Sequence, residues 1–350
     1  MTRSVASAWP IAALAVAALA TAAMLDESAL SVYVLLTLTA SVTVGVTLLM
    51  GHAGQVSLGH GAFYAAGAYA AGLLAKHGFP TWGALLVAPI AAAGIAAAVG
   101  IPLLILRGHH LAFATLALHL IFLSLISELS ITGGDVGLQA IPSLAFAGIT
   151  FGSVRDYAYL SASALVLIVL LAQNLLASRP GRALRALSSS EVAAASSGIA
   201  VGHYKLAVFA LSAGFAGLAG GIYAFYMGYL APGSFPVVLS IEYIVMAAVG
   251  GLGKVSGALA GSALVFLLVH GLSRIATLSG MPGTAPIILS YAVYAVLLIG
   301  AVLFLPGGLV AFIAARRNLR ARPERTVQPS TPAASDSASS AVASKRGSYS

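Results

Sequence analysis

Residues 51–76 read GHAGQVSLGHGAFYAAGAYAAGLLAK, and this stretch decides what kind of protein the rest must be. It is apolar enough to enter a bilayer, yet Gly51, Gly54, Gly59, Gly61, Gly67 and Gly72 interrupt it. Lipid supplies no hydrogen bonds, so irregular backbone at membrane depth is tolerated only where protein buries it or it lines a cavity. The segment is therefore expected to line a translocation path, with Gln55, Ser57 and Gly59 at its irregular start.

The composition around it agrees. Hydrophobic residues make up 60% of the 350 and charged residues 7%, where a soluble domain carries roughly a quarter charged. The expected fold is an all-α, polytopic integral membrane helix bundle. The 38 glycines, with abundant alanine, favour close helix–helix approach over a bulky aliphatic core. With no cysteine, disulfides, thiolate metal sites and cysteine nucleophiles are excluded. The net charge of +8 comes from basic loops and a basic tail and points to no nucleic acid.

Further apolar runs cover residues 29–50, 82–106, 111–129, 157–177, 206–228, 237–251, 255–272 and 286–305. Residues 1–24 fit a cleavable signal peptide, but the many spans that follow favour an uncleaved first helix. A crossing needs about 20 residues, so residues 57–75 and 237–251 are expected either to cross or to re-enter. That gives about 8–10 membrane segments and an even parity. With the N-terminus inside, Arg3, Arg107, Arg179, Arg182, Arg185, Lys205, Lys254 and the seven basic residues of 316–346 share one side. Lys76, Arg155 and Arg274 take the other. The positive-inside rule then puts both termini in the cytoplasm. Residues 1–314 form the membrane domain. Residues 315–350, rich in Ser, Ala and Pro, are expected to be a disordered basic cytoplasmic tail touching anionic lipid.

The longest internal break is residues 178–205, SRPGRALRALSSSEVAAASSGIAVGHYK. Pro180 suits a helix start, and the Ser188–Ser189–Ser190 run suits a cap for a short Ala-rich helix with Glu191 at its positive end. Gly198 ends that helix. The segment reads either as an amphipathic element that carries force to a cytoplasmic partner or as a solvated basic loop.

Chemistry is sparse. Around Gly253-Lys254 the phosphate-loop pattern fails at Ala248 and at Val255, so ATP is not bound by that route. No histidine pair has metalloprotease spacing, and neither a metal site nor a catalytic group is expected. Of the acids inside apolar runs, Glu128 falls at an interface and Glu242 is placed in a vestibule or against a neighbouring helix. One buried acid gives thin support for an ion-coupled carrier, which needs a relay or a cage.

The 51–74 stretch closely resembles the hallmark G-x-x-G-Q-x-S-L-G-H of permeases from high-affinity branched-chain amino acid ABC importers. LRGHHLAFATLALHL with TGGDVGLQAIP (106–120, 132–142) resembles the M-type subunit of that family. Residues 191–225 are similar to its coupling loop and following span, and residues 232–261 to its late Gly-rich segment. The resemblance covers residues 30 to 310. It implies a multi-pass subunit of the bacterial inner membrane without its own ATPase site or cofactor, ATP and Mg being held by two cytoplasmic ATPase subunits. A second, homologous permease and an extracytoplasmic solute-binding protein complete the complex implied. Arg185, Glu191, Ala193, Ala194 and Gly198 would couple to the ATPase, and Gln55, Ser57, Gly59, His119 and Glu242 would line the path. Relatives often carry Glu where this chain has His119, which either changes the cavity met by a zwitterionic substrate or is a packing substitution. Branched-chain amino acids are the implied cargo, with urea and short amides the alternative.

Overall fold

The computed structural model describes residues 5–103, 106, 108–276 and 285–304. Arg3, Arg107 and the basic tail expected over 315–350 lie outside the described residues. The chain forms a helical bundle, α1 (Val5–Met24), α2 (Glu27–Ala53), α3 (His60–Lys76), α4 (Thr81–Leu103), α5 (His109–Glu128), α6 (Val154–Ala177), α7 (Arg179–Ser189), α8 (Glu191–Ser196), α9 (Val201–Met227), α10 (Val238–Gly250), α11 (Val255–Ala276) and α12 (Ala285–Phe304). Among the described residues, seven segments are long and apolar enough to cross a membrane: α2, α4, α5, α6, α9, residues 232–250 and α11 through Arg274. The 17 residues of α3 and the 13 of α10 are shorter. At 1.5 Å per residue, α10 spans about 20 Å, less than the ~30 Å hydrocarbon layer.

Small residues set the packing. Along α4, Ala84, Ala88, Ala92 and Ala96 recur every fourth position and are fully buried, while Leu86 and Ile90 on the opposite face are exposed. The alanine ridge receives α9, where Gly217 and Gly221 lie against Ala88 and Ala92. On its other side, Gly217 meets Gly67 of α3 and Gly220 meets the Tyr64 carbonyl. The three backbones thus approach to distances that only glycine and alanine permit. A second seam joins α10 to α11 at Gly250, Gly257 and Gly261. The Thr37 and Ser161 hydroxyls, 2.8 Å apart, join α2 to α6.

The bundle has two distinct ends. At one, the connection between α5 and α6 folds into a two-residue hairpin (Ala145–Phe146 with Ile149–Thr150) and pairs Leu138 with Leu230. Thr81 is tied to Ala145, and Arg155 donates to the Leu25 carbonyl there. At the other end lie α7, α8 and the turn between α10 and α11, where Gly51 packs on Gly253. Lys76, Arg155 and Arg274 belong to the first end, and Arg179, Arg182, Arg185, Lys205 and Lys254 to the second. The described members of the two charge sets therefore separate in space.

Candidate functional site

Between α2 and α3 the chain leaves helical geometry inside the bundle. Gly54 takes a left-handed conformation (φ 64°), and the Gln55 N–H closes back on the Leu49 carbonyl at 3.3 Å, a six-residue terminating bond. Residues 55–59 then alternate. Gln55, Ser57 and Gly59 are buried, while Gly54 and Val56 are exposed. The break is a thin wall with one face packed and the other open.

Side chains from other helices hold this wall. The Leu58 N–H donates to Thr115 Oγ1 at 2.9 Å, and the Gly59 N–H to Ser57 Oγ at 3.3 Å. A Cβ on Gly59 would sit 3.1 Å from the Thr115 carbonyl oxygen. One residue on, His60 Nε2 reaches Ser212 Oγ of α9 at 3.2 Å. The Gly61 N–H donates to Ser240 Oγ of α10 at 2.9 Å.

His119 completes the junction. Its Nε2 is 3.2 Å from the Phe235 carbonyl and its Nδ1 is 3.2 Å from Ser240 Oγ. A carbonyl can only accept, so Nε2 carries the proton and Nδ1 accepts from the Ser240 hydroxyl. That hydroxyl in turn accepts from Gly61. The imidazole is fully buried with both nitrogens used, and a Cβ on Gly61 would collide with its Cε1. His119 therefore pins α5, α10 and the 235 turn to the first turn of α3, instead of facing open space. Phe235, also buried, packs edge-on or tilted against Tyr64, Tyr69 and Tyr223, with centroids 5.8–5.9 Å away.

Glu242 is half-buried on α10 and lies beside the Tyr294 side chain of α12. Glu128 is the exposed last residue of α5. Among the described residues no group of three or more His, Asp or Glu side chains is arranged to hold a metal ion.

At the other end, residues 178–205 fold into two short helices. Ser178 caps α7, with Pro180 in the first turn, and Arg185 donates to the Leu176 carbonyl at 2.6 Å. Ser190 caps α8 by accepting the Ala193 N–H at 3.3 Å. Glu191 leads α8 and is ion-paired to Lys205 of α9. Gly198 (φ 81°) ends the segment, with the Ile199 N–H returning to the Ala194 carbonyl at 3.1 Å. Ala194 is buried beneath α8, and Val192 on its outer face is 82% exposed. A rigidly anchored six-residue helix thus presents an apolar side chain outward.

Sequence reasoning missed Thr115, Ser212, Ser240 and Val192. Each hydroxyl is a lone small polar residue in an apolar helix, a signal too common to single out. Val192 was legible only as the large aliphatic residue in an Ala/Ser run.

Comparison with known proteins adds two findings. A family profile described as branched-chain amino acid transport system / permease component matches residues 27–305. The high-affinity branched-chain amino acid transport system permease protein LivM of Escherichia coli (strain K12) is 33% identical over 235 residues, 60% of this chain and 55% of that protein. LivM of Salmonella typhimurium (strain LT2) gives the same figures. The chain thus spans about half the length of the curated relatives it matches. No solved structure matches.

Proposed function

The chain belongs to the branched-chain amino acid transport permease family, and from that premise we propose that it is the membrane subunit of an ATP-driven importer. Its cargo is branched-chain or similar hydrophobic amino acids, moved inward across the bacterial inner membrane. It works beside a second, homologous permease. Two cytoplasmic ATPase subunits hold ATP and Mg, and an extracytoplasmic solute-binding protein delivers the cargo. The α7–α8 end faces the cytoplasm, as the concentration of basic residues there supports.

The observation that carries this reading is α8. Arg185, Glu191, Ala193, Ala194 and Gly198 each have a part in its placement. Arg185 fixes α7, Glu191 ties α8 to Lys205, Ala193 is held by the Ser190 cap, Ala194 packs inward and Gly198 permits the exit turn. Val192 is the side chain left to enter a groove on an ATPase subunit. ATP-driven closure of the ATPase pair displaces α8, and the Glu191–Lys205 pair passes the displacement to α9. Seven residues further along α9, about two turns, Ser212 holds His60 at the start of α3. The motion therefore reaches the α2–α3 break through one unbroken helix. Gln55, Ser57 and Gly59 line the path there, and His119 and Glu242 hold α10, its neighbouring wall.

Urea or a short amide is the second reading for the cargo. The test is ATP-dependent uptake of labelled leucine by vesicles carrying the whole complex, with Glu191→Ala plus Gly198→Pro as the comparison. Loss of uptake in an intact assembly supports coupling through α8, and unchanged uptake rejects it. Uptake of urea without leucine would keep the architecture and replace the cargo.

A further inference from the structure

Hydroxyls along most of α2 are satisfied. Thr39, Ser41 and Thr43 donate to carbonyls four residues earlier, and Thr37 also reaches Ser161. That pattern stops as the helix nears the break. The buried side-chain atoms without a hydrogen-bond partner among the described residues are Thr47 Oγ1, His52 Nδ1, Gln55 Oε1, His60 Nδ1 and, far away on α11, His270 Nε2. Four of the five fall within residues 47–60. Native structures satisfy nearly all such groups, and exceptions cluster where function needs them.

Of these, Gln55 sits at the break itself, and its Oε1 can only accept. His60 differs, because its Nδ1 lies by the Ser57 carbonyl and its Nε2 by the Ser212 hydroxyl, so the ring has groups of this chain at both nitrogens. Gln55 is 3% exposed. An unpaired acceptor in a dry wall requires a donor from outside the chain.

We infer that the α2–α3 break is the subsite for the N–H-bearing head group of the cargo, with Gln55 Oε1 accepting one of its N–H bonds. This rests on the transport reading above. The shared chemistry is a small molecule with several N–H donors, supplied either by an α-ammonium or by an amide or urea nitrogen. No carboxylate lies in the break, so binding relies on a neutral acceptor and stays weak enough for release.

The test uses the assembled complex carrying Gln55→Met, which keeps the side-chain length and removes the acceptor. Two quantities are read: the melting temperature of the purified complex, and initial uptake of labelled leucine or labelled urea at saturating solute-binding protein. Removing an unpaired buried acceptor should raise or preserve the melting temperature, while uptake falls by about tenfold. Thr47→Val, which removes another unpaired hydroxyl, should likewise not lower the melting temperature. A loss confined to leucine assigns the donor to an ammonium, and a loss confined to urea assigns it to an amide-type nitrogen. Undiminished uptake overturns the proposal. So does a lower melting temperature for Gln55→Met, which would mean that Gln55 has a partner within the protein. The melting arm stands even where the unmodified complex moves neither compound, a result that would sink the transport reading itself.

Discussion

Replacing Gly220 with alanine tests whether the α3–α9 seam is as tight as its backbones indicate. The added methyl would overlap the Tyr64 carbonyl oxygen and lie 2.9 Å from its carbonyl carbon and 3.1 Å from the Ala68 nitrogen. All three atoms are backbone, so no rotamer change relieves the collision, and α3 must move away from α9. Such overpacking costs about 1–3 kcal/mol. Part of the α3–α9 contact and the nearby Gly67–Gly217 approach would open with it. The control is Gly94→Ala in α4, where a methyl meets nothing within 4 Å. There alanine should stabilise the helix by about 0.5–1 kcal/mol relative to glycine. The two variants differ by one carbon each, yet should separate by roughly 1.5–4 kcal/mol. That corresponds to a melting difference on the order of several degrees. The assay is the fraction of purified protein that stays monodisperse in detergent after stepped heating. Gly220→Ala melting with or above Gly94→Ala would refute the reasoning, because the seam would then have slack that the backbone distances exclude.

Three further outcomes are expected. Lys205→Met should change thermal stability by no more than about 1 kcal/mol, since its partner carboxylate is substantially exposed, while ATP-driven uptake falls. Equal uptake would remove the ion pair from coupling. Ser190→Ala should cost α8 about 1 kcal/mol of local stability by freeing the Ala193 N–H, read as faster hydrogen exchange over residues 191–196 with the transmembrane helices unchanged. His119→Leu should lower the melting temperature by an amount equivalent to about 1–3 kcal/mol, because the Phe235 carbonyl loses its donor and the Ser240 hydroxyl its acceptor. His119→Gln, which keeps a donor and an acceptor, should recover part of that loss. Identical melting for the two would mean that the imidazole only fills space.

The helices were legible because each is a long apolar run, and a bilayer admits almost nothing else. The α2–α3 break was legible for the converse reason. Gly54 and Gly59 with the polar residues Gln55 and Ser57 interrupt the helix there, while Gly51, Gly61, Gly67 and Gly72 sit inside α2 and α3. The start of α7 at Pro180 and the cap of α8 within Ser188–Ser190 were legible because such signals act locally, whereas the Ser178 cap emerged only in the fold. What the chain does not display locally is the partner of each polar residue. Ser240 meets Gly61 from 179 positions away, and His60 meets Ser212 from 152. Neither pairing has a local signature, so His119 read as a path residue or a packing change, and its role as a three-way pin appeared only in the fold. The Leu138–Leu230 bridge and the small hairpin beside it were hidden for the same reason.

The arrangement of these pins bears on how such a bundle can move. Short-range glycine seams hold α3, α4 and α9 together through backbone contact, and backbone contact does not slide without loss of packing. By contrast, the side-chain hydrogen bond between α10 and α3 runs through one hydroxyl, Ser240, shared between Gly61 and His119. Hydrogen bonds of this kind exchange partners at modest cost, about 0.5–1.5 kcal/mol net each. A displacement applied to α9, as the proposed coupling requires, would therefore carry α3 and α4 with it as one body. The relative displacement would then fall at the junction of α3 with α5 and α10, which is the wall that contains Gln55, Ser57 and Gly59.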